Sequence, residues 1–355
     1  MAEDIISQER YSSIRKAVEK ARLLGIKDRS QIAEAVIDSN SAQAKGILNI
    51  SREEASQIPS IGKKDIRSEP EEVKQRAINK YFEFKEGSKN VPVLIDAIHA
   101  FTPGSKEIEF LFSQMNLDDK LSDKEKKKVV LEFKNKFCDE FTADIAQAVA
   151  KKTDSALIIA GKSKAFAEAN RYWWKREAKN IEVKGSKNPV FPYEYSRRIK
   201  AALFWSIDKI LHNNGMLDEK GELMRPFFRL SVHGMENNEN FDFAIAGSRN
   251  IADQEKVEMF ANLLRKNIKQ VGLNVDGETP KVVIALKEDP KTKKYSGAAS
   301  LNQYRKESDN AVFQHPSFGR NFQNIQLEIS ARLRKDELAR EKVVDVLAGV
   351  VQELR

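Results

Sequence analysis

VPVLIDAIH, residues 91–99, is the stretch whose reading decides the fold. It is short, apolar and rich in branched side chains, and a histidine closes it. A run of this kind, without polar alternation, reads as a strand buried on both faces. FRLSVH, residues 228–233, repeats the design with His233 as its last residue. In open α/β sheets, ligands gather at the carboxyl ends of the strands. Two histidines following two buried strands therefore predict both a fold class and a place for chemistry.

Working outward, ALIIA over 156–160, Val282 to Leu286 and Ile325 to Ser330 read as further strands. Between them lie helical patterns. Residues 113–136 are charge-mixed and helical, and Phe141 to Val149 is amphipathic. Arg197 to Leu211 carries Trp205, Glu255 to Val271 ends at Gly272, and a closing helix runs from about Asp336 to Leu354. Strands alternating with helices indicate an α/β domain over 89–355.

Residues 1–88 have a different texture. Ile14, Val18, Ala21 and Leu24 recur at helical spacing, and Ser51 with Glu54 has the shape of a capping box. Glu71 to Phe84 places Val73, Ala77, Ile78 and Tyr81 on one helical face. This segment is nearly neutral, so it reads as a small helical extension rather than a basic arm. The boundary is set after Gly87-Ser88, where the apolar run begins.

The whole composition agrees with a soluble globular chain of about two domains. It has 355 residues, 61 Lys and Arg against 53 Asp and Glu, and a net charge of +8. That charge is mild for the length, and no basic stripe with interleaved aromatics is present, so a nucleic-acid partner is not expected. A single cysteine, Cys138, excludes a disulfide framework and any Cys-rich zinc site. The polar opening MAEDIISQER and the absence of a long apolar run predict neither signal peptide nor membrane span, hence a cytoplasmic protein.

Histidine chemistry must draw on His99, His212, His233 and His315. One histidine at a strand end is ordinarily a satisfied structural residue. Two of four in the same kind of position favour a metal site. For the acidic ligand, CDEFTAD over 138–144 opens a helix and offers Glu140 and Asp144. Both would also suit the positive end of a helix with no further role. His233-Gly-Met-Glu236 offers Glu236 as a rival. In QLEIS, residues 326–330, alternation sends Gln326 and Glu328 to one face and Leu327 and Ile329 to the other. A carboxylate in such a strand is costly unless paired or functional, which makes Glu328 a candidate general base. Asn170-Arg171 follows the second strand, and an arginine fork matches a substrate carboxylate as well as it suits a surface ion pair.

Taken in order, these pieces resemble the N-formylglutamate amidohydrolase family of zinc-carboxypeptidase-like hydrolases over roughly residues 91–334. They are LIDAIHAFTPGS, DEFTADIAQAVA, ALIIAGKSKAFAEANR, LSVHGMENNENFDFAIAG and QLEISARLR. The resemblance implies a mixed sheet flanked by helices and a Zn2+ ion held by His99, Glu140 and His233. It implies Asn170 and Arg171 as the grip on a substrate carboxylate and Glu328 as general base. Asp242 and Gly247 match a loop shaping the site, and His315 falls in a polar loop before the last strand. The implied activity is hydrolysis of an amide bond in an N-formyl or N-acyl amino acid, or a short peptide bearing a free carboxylate. The alternative is a non-catalytic protein on the same fold that binds a small molecule or a partner. Three departures stand out: the helical extension, the arrival of Glu140 only 41 positions after His99 across a Lys-rich insertion, and the absence of an H-x-x-E pairing after His99, where the sequence runs Ala-Phe-Thr-Pro.

Overall fold

A computed structural model describes residues 70–89, 91–101, 108, 112, 121–161, 179–183, 186–190, 197–246, 254–286, 288–296 and 321–355. The described elements, in chain order, are α1 (Glu71–Tyr81), β1 (Phe82–Lys85), β2 (Val93–Ala97), α2 (Asp123–Phe137), α3 (Thr142–Thr153), β3 (Ala156–Ala160) and the hairpin strands β4 (Lys179–Val183) and β5 (Ser186–Val190). They continue with α4 (Arg197–Asn213), β6 (Phe227–Met235), β7 (Phe243–Ala246), α5 (Gln254–Val271), β8 (Val282–Ala285), β9 (Phe322–Ser330), α6 (Ala331–Lys335) and α7 (Glu337–Glu353). Seven strands form one mixed sheet in the order β1-β3-β2-β6-β9-β7-β8. Its centre is parallel, β3 to β2 to β6 to β9, while β1 and β7 run antiparallel to β3 and β9. The α/β class and the mixed sheet flanked by helices are thus present as the sequence implies.

One face of the sheet carries the larger core. Val93, Ile95, Ala97, Phe228, Leu230, Val232, Ile325, Leu327 and Ile329 join the apolar sides of α3, α5 and α7 there. The other face meets α1 and α4 through Leu94, Ile98, Ile158, Phe227 and Phe322. This division follows from the two-residue period of a strand, since alternate residues of β2, β6 and β9 must face opposite layers.

Several elements differ from the sequence reading. The helix read over 71–84 stops at Tyr81, and Phe82–Lys85 pairs with β3 as an edge strand. Residues 71–85, placed by the sequence in a separate extension, are therefore integral to the α/β layer. The alternation Phe82-Glu-Phe-Lys85 also satisfies a strand, so periodicity alone could not place the switch. Residues 1–69, the rest of that extension, lie outside the described residues. Strand β6 does not end before His233 but continues to Met235, so His233 is a strand residue. The short β7 and the β4–β5 hairpin were not read from the sequence. Helix α2 begins at Ser122, whose hydroxyl and Glu125 form a reciprocal capping box. Among the described residues, no helix is long and apolar enough to cross a membrane.

Candidate metal centre

The site grows from the polar side of the three central strands. Register places Asp96 of β2 beside Ser231 of β6, and Arg229, Ser231 and His233 beside Asn324, Gln326 and Glu328 of β9. All seven are buried. Because paired residues on adjacent strands share a face, these side chains form a ladder on the α1/α4 side of the sheet.

The ladder is tied together by charge. Arg229 Nε donates to Asp96 Oδ2 at 2.6 Å, and Ser231 Oγ donates to Asp96 Oδ1 at 2.6 Å. Arg229 Nη1 reaches Asn324 Oδ1 at 3.4 Å. Ser231 Oγ also lies 3.1 Å from His233 Nε2. Ser231 has one proton, and the ionised Asp96 can only accept. With that proton given to Asp96, the hydroxyl must accept from His233 Nε2–H. In the neutral ring this is the Nε2–H tautomer, whose Nδ1 lone pair points the other way. A second group that orients a ring in this manner is a recurrent feature of metal-binding histidines.

What lies on the Nδ1 side is Asp139. Its Oδ2 is 3.3 Å from His233 Nδ1 and 3.6 Å from His99 Nδ1, and it accepts from Gly234 N at 3.2 Å. The His99 and His233 rings meet edge to face with centroids 4.7 Å apart. One donor atom from each of His99, Asp139 and His233 falls within 4.8 Å of the others, a group that could hold a metal ion. Two imidazole nitrogens and a carboxylate are the donor types of a catalytic zinc site with an open position. His99 arrives here from the turn after β2. Asp139 is delivered by a short extended segment after α2, where its N–H donates to His99 O at 3.0 Å and its carbonyl accepts from Thr142 Oγ1 at 2.6 Å.

Burial works against a charge on His233, but the hydrogen bond its protonated Nδ1 gives to Asp139 and the negative charges of Glu328, Asp139 and Asp96 outweigh it and raise its pKa above the ordinary imidazole value. Among the described residues, the buried carboxylates acting on His233 are Asp139, Glu328 and Asp96. This gathering of carboxylates around two imidazoles suits a cation.

The acidic ligand is where sequence and structure part. Glu140 does not reach the histidines. Its carboxylate turns outward to Lys335 Nζ at 3.1 Å. Asp144 and Glu236 are exposed as well. The neighbouring Asp139 takes the place assigned to Glu140. The reason is local: Phe141 adopts a left-handed conformation (φ 64°) as the N-cap of α3, so the helix begins only at Thr142. Cys138 is extended, residues 140 and 141 form the turn that enters the helix, and Asp139 is the acid this places against the histidines. The sequence points to Glu140, Asp144 and Glu236 and passes over Asp139, because the turn that aims it is set by Phe141 and not by the residue types of the acids.

Glu328 is on the ladder next to His233, accepts from Gln326 Nε2 at 2.7 Å, and shares the histidines' side of the sheet. Asp242 is buried away from the histidines, where it holds Arg332 through two hydrogen bonds of 2.6 and 2.9 Å and ties Ser330 and Lys281. It is a strand-end brace rather than a metal donor. Asn170, Arg171, Gly247 and His315 lie outside the described residues. His212 is a surface residue of α4, beside Asp208.

No family model matches the sequence, and no curated protein matches it. Among solved structures, the chain is similar to a gene product of Agrobacterium tumefaciens, with 13% identity, 79% of this chain and 97% of that chain covered, and a TM-score of 0.47. It is also similar to a bacteriophage poly-gamma-glutamate hydrolase, with 12% identity, coverage of 77% and 87%, and a TM-score of 0.32. A third similarity is to a candidate metallopeptidase of Shewanella amazonensis, with 10% identity, coverage of 80% and 90%, and a TM-score of 0.26.

Proposed function

We propose that the protein is a metal-dependent hydrolase of an amide bond in an N-formyl or N-acyl amino acid, or a short peptide with a free carboxylate. One observation carries this reading: two imidazole Nδ1 atoms and the Asp139 carboxylate converge, with a buried glutamate on the adjoining strand of the same face. His99, Asp139 and His233 would hold a divalent ion, with zinc the choice that suits two nitrogens and one oxygen. Such an ion, when bound, supplies Lewis acidity toward a carbonyl and toward water.

The chain's own groups do the rest. Glu328 accepts a proton from the attacking water and returns it to the leaving nitrogen, one carboxylate serving both halves of the reaction. Asp96 and Ser231 keep His233 in its Nε2–H tautomer, with Nδ1 directed at the site. Arg171 and Asn170 are proposed, from the family resemblance, to grip the substrate carboxylate. That grip would orient the scissile bond as well as bind it.

The test combines metal analysis with turnover. The purified chain should carry about one zinc, lost in Asp139→Asn, and should release amine from N-formyl or N-acyl amino acids in a chelator-sensitive manner. Glu328→Gln should keep the metal and slow turnover by roughly 10²–10⁴-fold. Arg171→Ala should weaken both affinity and rate on carboxylate-bearing substrates. A chain that binds no divalent metal, or a Glu328→Gln variant with full activity, would overturn the reading. Metal bound without turnover would favour the binding-protein alternative.

A further inference from the structure

We infer that Arg334 is a positioning residue whose buried guanidinium holds together the three segments that bring Asp139, His233 and Glu328 to the site. The inference rests on the metal-site reading above for its functional meaning, but its geometry stands independently. Arg334 lies in the short helix α6, six residues after Glu328, and is 5% exposed. Its Nε donates to Ile329 O at 2.9 Å, its Nη2 to Met235 O at 3.0 Å, and its Nη1 to Glu140 O. Ile329 follows Glu328, Met235 lies two residues beyond His233, and Glu140 follows Asp139. One planar group thus bonds a carbonyl beside each of three site residues.

Met235 is the last residue of β6, Ile329 the next to last of β9, and residue 140 lies in a turn outside the sheet. A buried carbonyl without a donor is costly. A guanidinium has five donors in a fixed fork, whereas a lysine ammonium is a compact charge that cannot span three diverging segments in one plane.

Gly234 is the second mark of the arrangement. A Cβ at this position would lie 2.5 Å from Arg334 Cζ and 2.7 and 2.8 Å from its two Nη atoms. The residue after His233 is therefore glycine because the guanidinium lies against its Cα. Burial lowers the Arg334 pKa, while the charges of Asp139, Glu140 and Glu328 oppose that shift, so the cation sits where the site's carboxylates crowd. Lys335, next in the chain, holds the Glu140 carboxylate from outside. The 139–140 segment is thereby fixed with Asp139 inward.

The experiment uses the full chain. Amide hydrogen exchange is followed in metal-free protein at Asp139 and Gly234, with Leu347 in α7 as a distant reference, and zinc affinity is measured by competition with a chromophoric chelator. Arg334→Lys keeps the charge and removes the fork. It should raise exchange at Asp139 and Gly234 by roughly tenfold or more while leaving Leu347 near its wild-type rate. Zinc affinity should fall by roughly 10–100-fold. Gly234→Ala pushes the same guanidinium from the other side and should shift both measurements in the same direction. It decides the matter where Arg334→Lys fails to fold. Unchanged protection at Asp139 and Gly234 would overturn the inference, as would an equal rise at all three amides, which marks general destabilisation. A wild-type chain that binds no zinc would overturn the metal reading, and the amide comparison would still decide the role of Arg334.

Discussion

The two faces of β2, β6 and β9 come from the same backbone, yet they do opposite work. On the α3/α5/α7 side, apolar residues dominate, from Val93 through Val232 to Ile329, and nearly all are fully buried, with Gln323 a buried polar exception. On the α1/α4 side, beside the apolar Leu94, Phe227 and Phe322, the intervening residues include Asp96, Arg229, Ser231, His233, Asn324, Gln326 and Glu328, and they too are buried. Burying apolar area stabilises a fold, whereas burying charge does so only when every partner is in place. One face therefore supplies the stability that lets the other hold a set of groups that would not cohere alone. A residue's neighbour along the chain, one step away, belongs to the other regime.

The largest expected effect lies on the polar face. Asp96→Ala leaves the Arg229 guanidinium buried without its carboxylate, which should cost about 3–5 kcal/mol. Urea unfolding of the metal-free protein reads this directly. Retention of wild-type stability would mean that the Asp96–Arg229 pair is not a required part of the folded ladder. The next effect lies on the apolar face, where Leu327→Ala should cost about 2–5 kcal/mol. Its neighbour in the chain, Glu328→Gln, should cost distinctly less stability while removing turnover. If the two substitutions lose stability equally, the division of labour between the faces fails.

The division also explains what was legible beforehand. The apolar face could be read because its signal is local: LIDAI and QLEIS name a buried strand wherever they occur. The polar residues were legible singly, as with His99, His233 and Glu328, because histidines and acids in apolar runs are conspicuous. Asp139 was not, because its inward direction depends on the left-handed Phe141 and on Arg334, about two hundred residues away in sequence. The Asp96–Arg229–Ser231 network was equally hidden. Asp96 and Ser231 sit inside strands that read as simply buried, and only the register of β2 on β6 brings them together. The switch from α1 to β1 escaped for a different reason, since Phe82-Glu-Phe-Lys85 fits either period.

A smaller effect separates orientation from charge. Ser231→Ala removes the hydroxyl between Asp96 and His233 but leaves the Asp96–Arg229 bond of 2.6 Å in place. His233 is then free to choose its tautomer, and the form with Nδ1–H cannot donate a lone pair to a metal. Zinc affinity should fall by roughly 10–100-fold, as for other outer partners of ligand histidines. Stability of the metal-free protein should change much less than in Asp96→Ala. Undiminished zinc affinity would mean that the tautomer is held by some other contact.

The mildest effect is a pH dependence, and its sign follows from the raised pKa of His233. Burial favours the neutral ring, but the Asp139 hydrogen bond and the charges of Glu328, Asp139 and Asp96 prevail and favour the cation. A group protonated more tightly when folded than when unfolded contributes stability that is fully present below its unfolded pKa, about 6.5, and lost as pH rises through the folded value. Metal-free protein should therefore lose thermal stability as pH climbs from about 6 toward the alkaline side of that window. Zinc bound at Nδ1 would replace the proton, so zinc-loaded protein should show no such decline over the same range, and zinc affinity should rise where the metal-free protein weakens. His233→Asn should flatten the metal-free profile. A metal-free stability that instead grows with pH through this window would mean that His233 is buried neutral. The three carboxylates would then not dominate the electrostatics at the imidazole.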